Sequence, residues 1–364
     1  MSTSRAGTPT GPTIVDRRPI TMDDAACVLE RYEVGHAVEP PLPAGGTANT
    51  NCLITTDRGR FVLRRRNPKY AVPAYVAFDH RFMEHLARRD VPTPLAVCAR
   101  SGSRWAVVSG DTYELYPYRP GRPHDRRSLG EIRAAAAALA GFHIAAASFD
   151  PPPGKEWPRY DDPAQVRAGL EEMSDELADA GVHGPGRAYL DAQLEVIERL
   201  LPDSVYHALP KHVIHGDFHP ANVTFTDDGQ IAGIWDMDWC TVQPRIRDVA
   251  DGLIFFGGVR DGDVDSADIR KLTRTWLPDT DRFAAFLGAY IRENPLTVDE
   301  LRLLPIFMRA RWLHCRVIGR SKVPESERLS FFVRGLIEPL QALDAMDPFE
   351  SLADRHHPHQ PSET

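Results

Sequence analysis

The features that the sequence lacks exclude several classes of protein. No run approaches 18 consecutive apolar residues, and the N-terminal segment MSTSRAGTPTGPT has no apolar stretch of the kind found in signal peptides. We therefore expect a soluble, cytoplasmic protein that does not use a membrane. Long Lys/Arg blocks are missing too, and the net charge is −8. Nucleic acid requires a basic face, so it is not an expected partner, and no protein partner is evident.

Cysteine is scarce, and two common catalytic motifs are missing. The five cysteines are widely spaced and form no CxxC pair, which is typical of reduced thiols in a cytosol. The chain has no GxxxxGK[ST] sequence and no GxSxG sequence. This excludes a P-loop nucleotide site and the serine-nucleophile elbow of hydrolases.

The pattern of apolar residues changes along the chain. Strand-like alternation surrounds a hairpin signal at 57–59, and a helical spacing follows within 74–90. Beyond residue 128 most segments are helical, beginning with a capping-box pattern at Ser128 and Glu131. We expect an α+β fold with disordered ends at 1–14 and 349–364. A β-rich part at 15–114 with one helix would precede a larger helical part at 115–348 that contains a short β-hairpin.

The most informative segment is VIHGDFHPANVTF, at 213–225, followed by IWDMDW at 234–239. Asp217 and Asn222 are five residues apart, and Asp236 lies fourteen residues further on. A kinase catalytic loop uses an aspartate that accepts the proton of the attacking hydroxyl, an asparagine that reaches magnesium, and a second aspartate that holds the metal. Oxygen ligands such as Asn222 and Asp236 suit magnesium. The spacing therefore predicts a phosphoryl-transfer site.

These segments resemble the signature of the aminoglycoside phosphotransferase, choline kinase and homoserine kinase type II superfamily, HGDxHxxN followed by hydrophobic-Asp-x-Asp/Glu. The resemblance implies a bilobal, protein-kinase-like fold, with a small antiparallel sheet in the N-lobe and a mainly helical C-lobe. It implies ATP and Mg²⁺ as cofactors, with Asp217 as the catalytic base and Asn222 and Asp236 as metal ligands. It assigns supporting roles to His215, His219, Asp238 and Asp248.

The resemblance also implies a nucleotide half of the site. The segment AGGTANTN would cover the phosphates through its backbone N–H groups, as a glycine-rich kinase loop does. Arg64 stands where the family places a phosphate-contacting lysine, and Asp79 is its expected partner on the following helix, with Glu84 as the competitor. The connector at 114–116 would meet the adenine. The expected nucleotide-binding residues are therefore Gly45, Gly46, Thr47, Asn49, Thr50, Arg64, Asp79, Glu114 and Tyr116.

The acceptor is expected to be a small molecule with a hydroxyl group. Similarity in the segment GGTANTNCLITTDRGRFVLR favours the homoserine kinase type II branch, whereas the GDFHPANV core is common to antibiotic, choline, sugar and amino-acid kinases. The acidic net charge slightly favours a cationic acceptor, and the arginines near the proposed cleft weaken that argument. The expected acceptor-binding residues are Asp238, Trp239, Arg309 and Trp312, with Arg311 as a further candidate.

Two other functions remain open at this point. A nucleotide-binding pseudokinase is one, since the strand lysine is replaced by Arg64. A metallohydrolase is the other, because His215, Asp217 and His219 would share one face if they lay in a strand.

Overall fold

The computed structural model describes residues 18–46, 48–159, 162–179, 184–262, 268–346 and residue 349. Disorder was predicted at 1–14 and 349–364. Residues 1–14 and 350–364 lie outside the described residues, as does Thr47, whereas Phe349 is buried in the core of the C-lobe, so the prediction is wrong at this position.

The N-lobe is built around an antiparallel sheet whose strand order is β1-β2-β3-β5-β4. The hairpin predicted at 57–59 is confirmed, because Thr56 pairs with Gly59 and Thr50 pairs with Arg65 at the far end. Alternate residues of this hairpin, such as Ile54 and Leu63, are fully buried, as expected for a sheet with one face on a core. The strands are β1 Leu42–Ala44, β2 Thr50–Thr56, β3 Gly59–Arg65, β4 Ala106–Val108 and β5 Asp111–Pro117.

Two helices accompany this sheet, whereas the sequence predicted one. The predicted helix is α2 (Pro73–Ala87), and the additional helix is α1 (Met22–Leu29). The Thr21 side chain accepts a hydrogen bond from Asp24 N, and the Asp24 carboxylate accepts one from Thr21 N, which forms a capping box. Strand β5 continues to Pro117, so the boundary predicted after residue 114 falls inside a strand.

The C-lobe is mainly helical. Its first helix, α3 (Leu129–Ala146), begins at Ser128, whose side chain accepts a hydrogen bond from Glu131 N. This helix is long and apolar enough to cross a membrane by composition alone, but more than half of it is buried inside the protein, where it packs against α10. The other helices are α4 Pro163–Glu172, α5 Ser174–Asp179, α6 Pro185–Leu200, α7 Asp203–Ala208, α8 Ile246–Gly252, α9 Ile269–Leu272, α10 Thr280–Glu293, α11 Val298–Gly319, α12 Arg328–Val333 and α13 Glu338–Asp344.

Short strand pairs inside the C-lobe position the motif residues. Strand β6 pairs with β9 and β7 pairs with β8, each antiparallel. The segments 215–222 and 235–240 both connect one pair to the other, so they lie side by side. The predicted single hairpin is thus a pair of two-stranded sheets, and the histidines of the motif lie in a loop. The strands are β6 Lys211–Ile214, β7 Val223–Phe225, β8 Ile231–Ile234 and β9 Thr241–Pro244, followed later by β10 Gly258–Val259 and β11 Leu277–Pro278.

Two helical glycines of the C-lobe provide a matched test of its packing. A Cβ atom at Gly252 in α8 would lie 2.0 Å from Cζ of Phe286, whereas a Cβ atom at Gly141 in α3 would meet nothing within 4 Å. We expect Gly252→Ala to destabilise the protein by about 1–3 kcal/mol through overpacking. Gly141→Ala should be neutral or stabilising by up to about 1 kcal/mol, because alanine favours a helix over glycine. Urea unfolding of both variants tests this packing, and equal effects would contradict it.

Candidate active site

The loop at 215–222, here called the catalytic loop, is held by a buried carboxylate. Asp248 of α8 is fully buried and accepts hydrogen bonds from His215 N at 2.6 Å and Gly216 N at 2.8 Å. His143 Nε2 contacts the same carboxylate at 3.1 Å. Burial alone would raise the pKa of Asp248, but His143 outweighs it and the pKa is lowered. An ionised Asp248 therefore fixes the start of the loop.

The second residue of the loop must be glycine. Gly216 has a φ of +80°, and a Cβ atom there would lie 2.4 Å from the carbonyl oxygen of Trp239. This close approach brings the catalytic loop against the segment at 235–240. His215 Nε2 also donates to Trp235 O at 2.9 Å. A close backbone approach and a side-chain hydrogen bond thus hold together the two segments that carry the motif.

Asp217 lies between Arg311 and His219. Arg311 Nη2 is 3.0 Å from Asp217 Oδ1, and His219 Nε2 is 3.3 Å from Asp217 Oδ2. Burial would raise the pKa of Asp217, but His219 and then Arg311 outweigh it, so the pKa lies far below its usual range. The carboxylate is therefore ionised at neutral pH, and it can accept a hydrogen bond from a hydroxyl group.

Asn222 and Asp236 have the chemistry of a magnesium site. Both line the cleft between the lobes. Asn222 donates its amide N–H to Asp217 O at 2.9 Å, so its amide oxygen is the atom that a metal would use. Asp236 is in the left-handed region with a φ of +66°, and its carboxylate remains partly exposed. Amide and carboxylate oxygens fit Mg²⁺, and these two residues are the ones that would hold it.

Arg64 extends from β3 across the cleft to the C-lobe. Its Nη2 lies 2.9 Å from Asp236 Oδ1 and 2.6 Å from Asp238 Oδ2. Asn49 Nδ2 donates to the same Asp238 oxygen at 2.7 Å. Burial raises the pKa of Asp238 to about 6 despite Arg64, with Asp236 acting in the same direction. Asp238 therefore joins the two lobes.

The expected pairing of Arg64 with Asp79 is wrong, because Asp79 pairs with Arg66 instead. Asp79 on α2 accepts a hydrogen bond from Arg66 Nη1 at 2.9 Å, and its other oxygen contacts Lys155. Residues 64 and 66 point to the same side of the chain because side chains alternate with a period of two, so the sequence did not distinguish them. Lys155 lies in the segment after α3, and no motif of the sequence indicated that it contacts Asp79. The competitor Glu84 instead pairs with Arg104 at 2.5 Å.

The other predicted nucleotide residues divide into two groups. Gly45, Gly46 and Tyr116 line the cleft. Glu114 is buried and contacts Arg66 and His80, and Asn49 donates to Asp238. The side chains of Glu114 and Asn49 therefore stabilise the fold. Thr50 accepts a hydrogen bond from Arg65 at 3.4 Å and does not line the cleft.

A second cavity opens on the other side of Asp217, and we call it the acceptor pocket. Of the residues predicted to bind an acceptor, Trp239 lines this pocket, whereas Asp238, Arg309 and Trp312 do not. Trp312 is fully buried and donates to Leu336 O, and Arg309 pairs with Asp344 at 2.8 Å. Their helix α11 turns a different face to the pocket. The lining residues are Gly216, Asp217, His219, Trp239, Arg247, Phe255, Ile269, Thr273, Arg311, His314, Cys315, Gly319 and Lys322.

Comparison with known proteins agrees with this geometry. Residues 41–286 match the model of the phosphotransferase enzyme family. The chain belongs to this family. It is a small-molecule kinase, an ATP-dependent phosphotransferase whose acceptor group is an alcohol. This assignment replaces the metallohydrolase interpretation.

Relatives of the chain include proteins named homoserine kinase. The one from Bradyrhizobium sp. is 26% identical over 316 residues, which cover 84% of this chain and 86% of the relative. The one from Acidiphilium cryptum is 28% identical over 322 residues, which cover 84% and 89%.

Solved structures with the same fold include an amicoumacin kinase in complex with AMP-PNP and Ca²⁺. It has a TM-score of 0.63 and 16% identity, over 91% of this chain and 95% of that one. An aminopropanol kinase associated with a microcompartment has a TM-score of 0.63 and 15% identity, over 90% and 98%. These similarities confirm the bilobal, protein-kinase-like α+β fold.

Removal of the charge of Asp248 tests how the catalytic loop is held. We expect Asp248→Asn to destabilise the protein by about 2–4 kcal/mol at pH 7, because an amide cannot replace a carboxylate that accepts two backbone N–H groups. The folded-state pKa of Asp248 is lowered. Its stabilisation is therefore complete above the unfolded pKa of about 3.9 and is lost as the pH falls through the folded pKa. Urea unfolding of the wild type and the variant between pH 7 and pH 3 should show the difference shrinking at acidic pH.

The control for this variant is Asp203→Asn. Asp203 is exposed and pairs with Arg159 at the surface, where an ion pair contributes about 0–1 kcal/mol. An equal loss in both variants would mean that Asp248 does not anchor the loop.

Proposed function

We propose that the protein transfers the γ-phosphoryl group of ATP·Mg²⁺ to the hydroxyl group of a small hydroxy amino acid, with homoserine as the first candidate. In this proposal the nucleotide lies in the cleft between the lobes, against Gly45, Gly46 and Tyr116. The acceptor enters the acceptor pocket. Asn222 and Asp236 would hold the metal, which neutralises phosphate charge when it is bound.

The observation that carries the proposal is the position and charge of Asp217. It lies in the acceptor pocket, while its backbone carbonyl oxygen is tied to Asn222, which lines the nucleotide cleft. An ionised carboxylate at the junction of the two cavities can accept the hydrogen bond of an acceptor hydroxyl and take its proton as the phosphoryl group is transferred. Arg311 and His219 orient this carboxylate from both sides, which reduces the cost of positioning during the reaction.

The acceptor class rests on the relatives. The homoserine kinases cover most of this chain, and this chain covers most of their length. The structures with the same fold act, by their names, on amicoumacin and aminopropanol, so the fold by itself does not select the acceptor. A cytoplasmic location is part of the proposal, since the described cysteines are all free thiols.

Asp217→Asn is the direct test of the assigned base. We expect this variant to bind ATP·Mg²⁺ with nearly unchanged affinity, because Asp217 lies on the acceptor side. Turnover with homoserine should fall by about 10²–10⁴-fold through loss of the general base. Coupled ADP release measures turnover, and calorimetry with a non-hydrolysable ATP analogue measures binding.

The matched control is Asp227→Asn, the same substitution in the exposed turn between β7 and β8, which should keep full activity. If Asp217→Asn also keeps full activity, the assignment of the base is wrong. If the wild type binds the nucleotide but phosphorylates no acceptor in a panel of homoserine, amino alcohols and aminoglycosides, the proposed acceptor class is wrong.

A further inference from the structure

The acceptor pocket carries more positive than negative charge. Among the residues that the structure describes as lining it, Asp217 is the one carboxylate, whereas Arg247, Arg311 and Lys322 are cationic. This local charge is opposite in sign to the net charge of −8 of the whole chain. Whole-chain charge therefore does not indicate the charge of the acceptor.

The two arginines, Arg247 and Arg311, form hydrogen bonds and ion pairs with other residues of the pocket wall. Arg311 Nε lies 2.6 Å from Asp251 Oδ1, while its Nη2 contacts Asp217. Arg247 Nη2 donates to Gly216 O at 2.6 Å. Their guanidinium groups hold the catalytic loop and α11 together, so they are not the residues that distinguish one acceptor from another.

Lys322 differs from these arginines in its location. It lies in the turn after α11, is exposed, and lines the same pocket as Asp217. Its positive charge contributes to the lowered pKa of Asp217, after His219 and Arg311. An acceptor whose hydroxyl group reaches Asp217 would therefore have Lys322 within the same cavity.

A second ammonium group lies close to the pocket. Lys69 Nζ is 5.1 Å from the ring centroid of Trp239, which lines the pocket, and 5.4 Å from that of Trp157. Tyr70 completes this aromatic support at 5.8 Å. Burial and the nearby charge of Lys322 both lower the pKa of Lys69. Both lysines are exposed. Like charges repel each other, so an anion bound beside them would be attracted by both.

We propose that Lys322 and Lys69 form an anion site that binds the carboxylate of the acceptor while its hydroxyl group reaches Asp217. This inference rests on the proposed kinase function and adds the residues that select the acceptor. An acceptor that carries only amino groups, such as an aminoglycoside or an amino alcohol, would meet like charges at this site. Specificity would then come from repulsion of such acceptors as well as from attraction of the carboxylate.

Three acceptors of similar size separate the contribution of the carboxylate to binding from that of the amine. L-Homoserine has the amine and the carboxylate, 4-hydroxybutyrate has only the carboxylate, and 3-amino-1-propanol has only the amine. We would measure the binding of each by ligand-observed NMR titration to the full chain with Mg²⁺ and a non-hydrolysable ATP analogue. The wild type, Lys322→Met, Lys69→Met and the control Arg292→Met would be compared. Arg292 is an exposed cation in the last turn of α10.

The wild type should bind homoserine and 4-hydroxybutyrate more tightly than 3-amino-1-propanol. Lys322→Met should weaken the two carboxylates by about 10- to 100-fold, the effect of one hydrogen bond to a charged group. The amino alcohol should bind Lys322→Met as well as the wild type or better. Lys69→Met should also weaken the binding of the two carboxylates, and Arg292→Met should leave the binding of all three ligands unchanged.

Several results would overturn the anion site. These are tighter binding of 3-amino-1-propanol than of 4-hydroxybutyrate, no binding of any of the three, unchanged carboxylate binding in Lys322→Met, or equal weakening of all three ligands. A higher KM for ATP with an unchanged KM for the acceptor would place Lys322 on the nucleotide instead. If the carboxylates bind as expected without phosphate transfer, the anion site stands and the kinase proposal fails. If the amino alcohol alone is phosphorylated, the kinase stands and the anion site fails.

Discussion

The arrangement of the site depends on ion pairs that cross between the lobes. Arg64 lies in the N-lobe strand β3 and Arg66 directly follows it. Asp238 on the C-lobe side accepts a hydrogen bond from Arg64 and lies 3.6 Å from Arg66. Both Arg66 and Asp238 are almost completely buried. A buried charge that loses its partner costs several kcal/mol, so neither lobe can move far without breaking the network. The cleft that holds the nucleotide is the space that this network leaves open.

The same network constrains how a cation could enter the cleft. Asp236 is an expected metal ligand, and one of its oxygens already accepts a hydrogen bond from Arg64. Arg64 lowers the pKa of Asp236 against the effect of burial. A metal ion at Asp236 and the Arg64 guanidinium would compete for one carboxylate, whereas nucleotide phosphates would attract the same guanidinium away from it. Arg64 is suited to this dual role, because its planar guanidinium can bind two acids at once.

Local patterns were predictable from the sequence, and long-range partners were not. Turn chemistry predicts the hairpin at 57–59, and capping predicts helix α3. The spacing of Asp217, Asn222 and Asp236 predicted that these three residues belong to one site, and the structure brings them together. The partner of Asp79 was missed because Lys155 lies 76 residues away along the chain, and no periodicity connects them. In α11 the candidates Arg309, Arg311 and Trp312 are one to three residues apart. Each residue turns the helix by about 100°, so only the fold decides that Arg311 faces Asp217.

The net charge of the chain likewise does not predict the charge of the acceptor pocket. Screening at physiological ionic strength confines the effect of exposed charges to about 8 Å, so an acceptor in the pocket responds to nearby side chains and not to the sum over the chain. The pocket residues come from the catalytic loop, α8, α11 and the turn after it, which are separated by tens of residues in the sequence. Only folding brings Arg311 and Lys322 beside Asp217. Together with His219, they lower the pKa of Asp217, and the proposed anion site uses the charge of Lys322 for the acceptor's carboxylate. In the proposed anion site, the electrostatics that keep Asp217 ionised and able to accept a hydrogen bond would thus also select the acceptor.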